Sequence, residues 1–190
     1  GFETERGRLA VNERFMTSVP GICAIGGVVA DIQLAHVAAA QGTFVVENIA
    51  GRPHTIQLSV VPNGMYARLP VVPSCIYTDP EIATVGLTEE AARANGMRVV
   101  CGKYSMGDNG KSIISHERGG FIHLVFDAYS KILVGAQIVC PRATDMIGEM
   151  ATAIATGLTA GQLMMAMRAH PTYSEGIGMA IEDAMRTAVQ

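Results

Sequence analysis

The second half of the chain alternates between runs that favour strands and runs that favour helices. Segments rich in β-branched and aromatic residues predict strands at 98–104, 121–126 and 132–139. The short polar connection at 127–131 has the length and composition of a hairpin loop. Two shorter apolar runs, at 75–77 and 83–87, come before them. Together these runs predict an antiparallel sheet.

Four helices are predicted, one between the runs at 83–87 and 98–104 and three after the run at 132–139. Each predicted helix has a polar residue at its start, and several have glycine at their end, as expected for caps. The four helices are one opened by Thr88 with Glu89 and Glu90 and ended by Gly96, one from Asp145 to Thr156 ended by Gly157, one opened by Thr159 and Gln162, and one opened by Thr172 and Glu175. Strands followed by helices predict an α+β domain, with an antiparallel sheet flanked by helices.

The last predicted helix carries one apolar stripe, with members three and four residues apart. The stripe consists of Ile177, Ile181, Ala184, Met185 and Ala188. Packing on the domain's own sheet is the simpler interpretation. A helix at a dimer seam is the alternative, since Met164, Met165 and Met167 lie just upstream and add adaptable apolar surface.

The first part of the chain contains too few elements for a complete layer structure. Strands are predicted at 9–11 and 22–25, then a turn at Gly26 and Gly27, and a helix from Asp31 to Ala50 that ends at Gly51. Half of the eight prolines fall between residues 52 and 73. We therefore predict a remnant of an α/β domain at 1–60, a linker at 61–73 and a second domain at 74–190.

The composition is apolar and weakly charged. Apolar residues make up 49% and charged residues 16%, so part of the surface is expected to be covered by a partner. A net charge of −3 with scattered Lys and Arg argues against nucleic acid as a partner. We find no apolar stretch long enough to span a bilayer and nothing typical of a signal peptide at the start, and we expect a cytoplasmic protein with no membrane partner.

The four cysteines do not form a recognisable motif. Cys23, Cys75, Cys101 and Cys140 are too far apart for a CxxC redox pair or a zinc-knuckle pattern. Each is expected to behave as a small buried hydrophobe. No metal site is predicted from the spacing.

The stretch from His170 to Glu175 has the residue types needed for acid–base chemistry. An imidazole and a carboxylate flank Pro171 just before the last predicted helix. A carboxylate on one ring nitrogen fixes the tautomer and leaves the other nitrogen free to exchange a proton near neutral pH. The alternative is structural, because Glu175 could complete a capping box with Thr172 while His170 is an ordinary surface histidine.

Three ordered motifs resemble the pyridine nucleotide-disulfide oxidoreductases. Residues 169–175 read AHPTYSE and are similar to the AHPTxSE signature of that family. Residues 77–89 read YTDPEIATVGLTE and resemble the entry to its dimerisation domain. Residues 17–26 read TSVPGICAIG, and with Leu34, Ala35 and His36 they are similar to the segment that closes the family's FAD site.

The resemblance implies specific roles for these residues. His170 would be the acid–base and Glu175 its orienting partner, acting across a homodimer on the redox disulfide of the other subunit. Gly26, with Leu34, Ala35 and His36, would belong to the FAD segment, but Gly27 stands where the family has the aspartate that contacts the ribityl chain.

The resemblance also implies what a complete protein would need. FAD and NAD would be its cofactors and a lipoyl-bearing protein its substrate. The Ala169-His170 run and the Ala180 to Ala184 tail favour a lipoamide enzyme over a glutathione reductase, and the absence of a C-terminal cysteine pair argues against a mercuric reductase. No GxGxxG or CxxxxC motif occurs in the chain. We therefore expect this chain alone to bind no cofactor and to be inactive, and a non-catalytic homodimerisation module is the alternative function.

Overall fold

The computed structural model describes residues 1–29, 32–52, 55–56, 58–60, 69–117 and 119–187. It divides into two compact units, Gly1–Gln57 and Leu58–Gln190.

The first unit contains two short strands and one long helix. Strands β1 (Thr4–Glu5) and β2 (Arg8–Leu9) pair in antiparallel fashion. Helix α1 spans Ala35–Ile49. The predicted strand at 22–25 is wrong, because only Cys23 makes a bridge, to Met16.

Helix α1 begins later than the sequence predicts. Its N-cap is Leu34, which has extended backbone angles and no side-chain cap hydrogen bond. The predicted cap, Asp31, lies outside the described residues. At the other end Gly51 adopts φ +72° just past the helix, so the predicted stop is confirmed.

The second unit is built on a five-stranded antiparallel sheet in the order β5-β6-β9-β8-β7. The strands are β5 (Ser74–Ile76), β6 (Ile82–Gly86), β7 (Val99–Ser105), β8 (Phe121–Asp127) and β9 (Leu133–Val139). The predicted runs and the hairpin between β8 and β9 are confirmed. A separate short pair, β3 (Ser59–Val60) with β4 (Leu69–Pro70), precedes this sheet.

Helices flank the sheet, as an α+β fold requires. They are α2 (Glu89–Ala94), α3 (Gly110–Ile114), α4 (Ala143–Thr156), α5 (Ala160–Met164) and α6 (Glu175–Thr187). Thr88 caps α2 through its side chain, and Thr159 with Gln162 forms the predicted capping box at α5. Among the described residues, no helix is both long and apolar enough to cross a membrane.

The core lies between the sheet and helices α4 and α6. Ile177, Ile181 and Ala184 of the apolar stripe are fully buried, so α6 packs on its own sheet. Ala188 of that stripe lies outside the described residues. Helix α6 lies very close to β7 at Gly102. A Cβ built on Gly102 would lie 1.9 Å from the carbonyl oxygen of Ala180 on the helix.

The described part of the chain contains four free cysteines, of which only Cys140 is fully buried. Burial raises the pKa of the Cys140 thiol to about 12 and that of Cys101 to about 12 as well. Both thiols are therefore protonated at neutral pH. For Cys140 the expectation of a small buried hydrophobe is confirmed, whereas Cys23, Cys75 and Cys101 are only partly buried.

Candidate acid–base site

His170 and Glu175 meet at the start of helix α6. Nδ1 of His170 lies 2.9 Å from Oε1 of Glu175, a hydrogen-bond distance. The imidazole is 78% exposed and the carboxylate 28% exposed. Because Glu175 occupies Nδ1 of a largely exposed ring, Nε2 is the nitrogen left to exchange a proton with an external group.

The second oxygen of Glu175 closes the turn before the helix. The backbone N–H of Thr172 donates to Oε2 at 2.8 Å, as in a capping box. Helix α6 nevertheless begins at Glu175, so the predicted opening at Thr172 is wrong. The hydroxyl of Thr172 instead donates to the carbonyl of Ala169 at 2.7 Å. One carboxylate thus contacts both the imidazole of His170 and the backbone N–H of Thr172.

The same contacts keep Glu175 ionised. The backbone N–H of Thr172, and then the ring of His170, lower the pKa of Glu175 below its ordinary value. A carboxylate with a lowered pKa in the folded state contributes stability above its unfolded pKa and loses that stability as the pH falls through the lowered value. At neutral pH the carboxylate is charged and orients the imidazole.

Side chains from distant parts of the sequence hold the loop before α6. Asn109, only 2% exposed, donates from Nδ2 to the carbonyl of Thr172 at 3.0 Å. The hydroxyl of Tyr173 donates to Oε2 of Glu117 at 2.5 Å. Neither partner has a recognisable sequence signal, because Asn109 caps a helix of only five residues and Glu117 lies 56 residues from Tyr173.

An ion pair fixes the chain just upstream of His170. Nη2 of Arg168 lies 2.5 Å from Oε1 of Glu149 on α4, and the arginine side chain is only 10% exposed. This contact ties the loop to a helix of the core. The ring of His170 is exposed, but the loop that carries it is anchored to the core, as a positioned acid–base group requires.

The surface near this loop is unusually apolar. Met165 is 81% exposed and Met167 fully exposed, and both precede His170 in the same loop. Elsewhere on the second unit, Tyr77 of the second family-like motif and Ile76 just before it are also exposed. Exposed apolar residues in such number are typical of a surface that another protein covers.

The residues predicted to contact FAD lie in the first unit. Gly26 is buried and donates its N–H to Oε1 of Gln41 at 2.7 Å. Leu34 precedes α1, and Ala35 and His36 form its exposed first turn. Gly27 is exposed.

These residues fit only part of a flavin site. The uncapped start of α1 offers backbone N–H donors for an acceptor oxygen. Gly27 provides no carboxylate for a hydroxylated chain, although a Cβ there would make only ordinary contact with Gln33. The described residues therefore do not complete a flavin site.

Comparison with known proteins identifies the second unit. The family described as "Pyridine nucleotide-disulphide oxidoreductase, dimerisation domain" matches residues 72–181, more than half of the chain. The chain belongs to the pyridine nucleotide-disulphide oxidoreductase family. Within that dimerisation domain, His170, Glu175 and the two exposed methionines lie near the C-terminal end of the matched range.

Members of this family with curated names resemble the whole chain. A dihydrolipoyl dehydrogenase of Chlorobaculum tepidum is 38% identical over 98% of this chain and 38% of its own length. One from Geobacillus stearothermophilus is 36% identical over 98% of this chain and 37% of its own length. The chain thus spans less than two fifths of these pyridine nucleotide-disulphide oxidoreductases.

Solved structures of related reductases share the fold. LpdA from Mycobacterium tuberculosis superimposes with a TM-score of 0.81 at 26% identity, over 98% of this chain and 38% of its own. The flavoprotein disulfide reductase RclA from Escherichia coli gives a TM-score of 0.83 at 21% identity, over 94% of this chain and 39% of its own. At that identity RclA supports the fold alone.

Proposed function

We propose that this chain is the acid–base and dimerisation part of a flavin-dependent dihydrolipoamide:NAD⁺ oxidoreductase. The observation that carries the proposal is the His170–Glu175 pair, held by Arg168 and Asn109 with the imidazole directed outward. Identity of 38% and 36% to dihydrolipoyl dehydrogenases over nearly the whole chain supports the lipoamide substrate. Related glutathione or mercuric reductase activities are the alternatives within the family.

The chain's contribution to the reaction would be proton transfer. Nε2 of His170 accepts the proton of a substrate thiol, and the resulting thiolate can attack a disulfide sulfur. Glu175 stabilises the imidazolium that forms, because its carboxylate is charged and lies at hydrogen-bond distance from Nδ1. The imidazolium then returns the proton when the displaced sulfur leaves. FAD and NAD are proposed as cofactors of the whole protein on the family alone.

A homodimer is proposed as the working form. The exposed Met165 and Met167 lie in the same loop as His170, whose Nε2 has no protein hydrogen bond among the described residues. Such a site needs a second surface to exclude water and supply the reacting sulfur. The partner would be a second copy, the substrate a lipoyl-bearing protein, and the location the cytoplasm.

A chimera tests the proposed function. This chain replaces the aligned segment of the Geobacillus stearothermophilus dihydrolipoyl dehydrogenase, and NADH formation from dihydrolipoamide is measured. We expect the chimera to form NADH, because both the acid–base pair and the fold of the replaced segment are retained. A second chimera also carries Gly27→Asp, which restores the aspartate found in the family. It distinguishes a loss of turnover caused by weak flavin binding from one caused by the acid–base pair.

The outcomes of this experiment are distinct. Turnover in either chimera supports the proposal, and turnover only with Gly27→Asp assigns the loss to flavin binding. Two folded dimeric chimeras that hold flavin and form no NADH would contradict it. That result would favour the non-catalytic dimerisation module instead.

A further inference from the structure

A second cluster of chemically active side chains lies on the sheet face opposite α6. Strands β7 and β8 pair Lys103 with His123 and Cys101 with Val125. Residues that pair across an antiparallel ladder share a face, so Cys101 and His123 are diagonal neighbours on the same face. Gly102, between Cys101 and Lys103, faces α6 instead.

Helix α2 brings a carboxylate to the same face. Glu89 is its first residue, placed there by the Thr88 cap. Oε2 of Glu89 lies 3.8 Å from Nε2 of His123. One ligand atom each from Glu89, Cys101 and His123 lies within 4.8 Å of the others, and all three residues are partly buried.

We propose that Glu89, Cys101 and His123 form a Zn²⁺-binding site that joins α2 to the sheet. A carboxylate oxygen, a thiolate sulfur and an imidazole nitrogen are all ligands that Zn²⁺ accepts in tetrahedral geometry. Three protein ligands leave the fourth position for water. A cavity of about 590 Å³, lined by Glu89 and His123 among others, adjoins the cluster and holds space for that water.

The three ligand atoms must move closer together to hold the ion. Tetrahedral Zn²⁺ with ordinary bond lengths places its ligand atoms about 3.3–3.6 Å apart. Oε2 of Glu89 and Nε2 of His123 are 3.8 Å apart, and no two of the three ligand atoms are more than 4.8 Å apart. Rotation of Glu89, whose side chain is 40% exposed at the helix start, brings its carboxylate to the ion, and rotation of the Cys101 and His123 side chains makes the remaining adjustment.

Neighbouring side chains hold two of the ligands in place. Nη2 of Arg93 donates to Oε1 of Glu89 at 2.8 Å, which leaves Oε2 turned toward His123. The side chain of Gln137 hydrogen-bonds His123, and its amide nitrogen also donates to the carbonyl of Leu87 at 3.3 Å. Such outer contacts orient the ligands of natural metal sites.

The charges around the cluster can accommodate the ion. Binding breaks the S–H bond of Cys101, releases its proton to solvent and forms the Zn–S bond, so the ion meets two anionic ligands, of which Glu89 also pairs with Arg93. Lys103 is the other cation on this face. Its ammonium lies 6.0 Å over the ring of Phe121, toward the end of the strand that is farther from Cys101.

Zinc titration of the purified chain tests the site. Isothermal titration calorimetry with ZnCl₂ is expected to show one site per chain, and the melting temperature should rise with zinc concentration. Cys101→Ser and His123→Ala should each weaken the affinity by at least about tenfold. With Co²⁺ as a probe, a thiolate-to-cobalt charge-transfer band should be present and should vanish in Cys101→Ser.

Matched variants keep the result interpretable. Cys75→Ser, at another partly buried cysteine beside a glutamate, and Glu90→Gln, one residue from Glu89, should leave the affinity unchanged. If Cys101→Ser does not fold, Glu89→Gln provides the test, because its exposed position at the helix start tolerates the change. Absence of zinc binding, or equal affinity in the wild type and in Glu89→Gln and His123→Ala, would overturn the proposal.

Discussion

Replacing His170 by glutamine is expected to lower the turnover of the chimera by about 10²–10⁴-fold. Glutamine keeps the size and polarity of the side chain but cannot take up a proton at neutral pH. The Glu175 carboxylate and its contact with Thr172 stay in place, so the loop should keep its shape. Steady-state NADH formation from dihydrolipoamide measures the loss, and the flavin content should not change.

His116→Gln is the matched control for this substitution. His116 is also an exposed histidine in a loop of the second unit. It has no contact with Glu175 in the part of the chain that the structure describes. Its replacement should leave turnover unchanged. Equal turnover in His170→Gln and His116→Gln would exclude His170 as the acid–base group.

Replacing Gly102 by alanine should destabilise the second unit by about 3 kcal/mol or more. The new Cβ would lie 1.9 Å from the carbonyl oxygen of Ala180 and 2.6 Å from the amide nitrogen of Ala184. Both are backbone atoms of α6, which cannot move aside as a side chain would. Helix α6 must therefore shift as a whole. Urea unfolding followed by circular dichroism measures the change.

Gly148→Ala is the control for that clash. Gly148 lies within α4, and a Cβ added there would meet nothing within 4 Å. Alanine is the better helix former, so this variant should gain about 0.5–1 kcal/mol. If Gly102→Ala were as stable as the wild type, α6 would not pack on β7 as closely as described.

The sheet of the second unit is predictable because its signals are local. Strands β8 and β9 are mostly apolar runs separated by a polar turn, and their hairpin needs no distant information. The caps at Thr88 and Thr159 are likewise encoded within four residues. Each local preference agrees with the tertiary structure, which makes pattern reasoning reliable there.

Other elements depend on contacts that the pattern does not contain. Helix α3 has only five residues, too few to show a helical period, and the sequence analysis did not identify it. It is capped by Asn109, whose amide also holds Thr172. The start of α1 was misplaced because Leu34 is not a usual capping residue.

One part of the candidate acid–base site can be predicted from the sequence, and the other part cannot. His170 and Glu175 are five residues apart, so their pairing can be inferred from one short motif. Glu149 and Glu117 support the same loop from 19 and 56 residues away. The cluster of Glu89, Cys101 and His123 likewise arises from strand register and helix placement, which residue spacing alone does not reveal.

Mixed dimers of the chimera test the central claim most directly. One chimera carries His170→Gln, and the other has its redox cysteines replaced; the two are coexpressed with different tags and the mixed dimer is isolated. If His170 of one subunit serves the disulfide of the other, one site remains intact and the mixed dimer should show about half the activity of the unmodified chimera. An inactive mixed dimer, with the unmodified chimera active, would contradict the account.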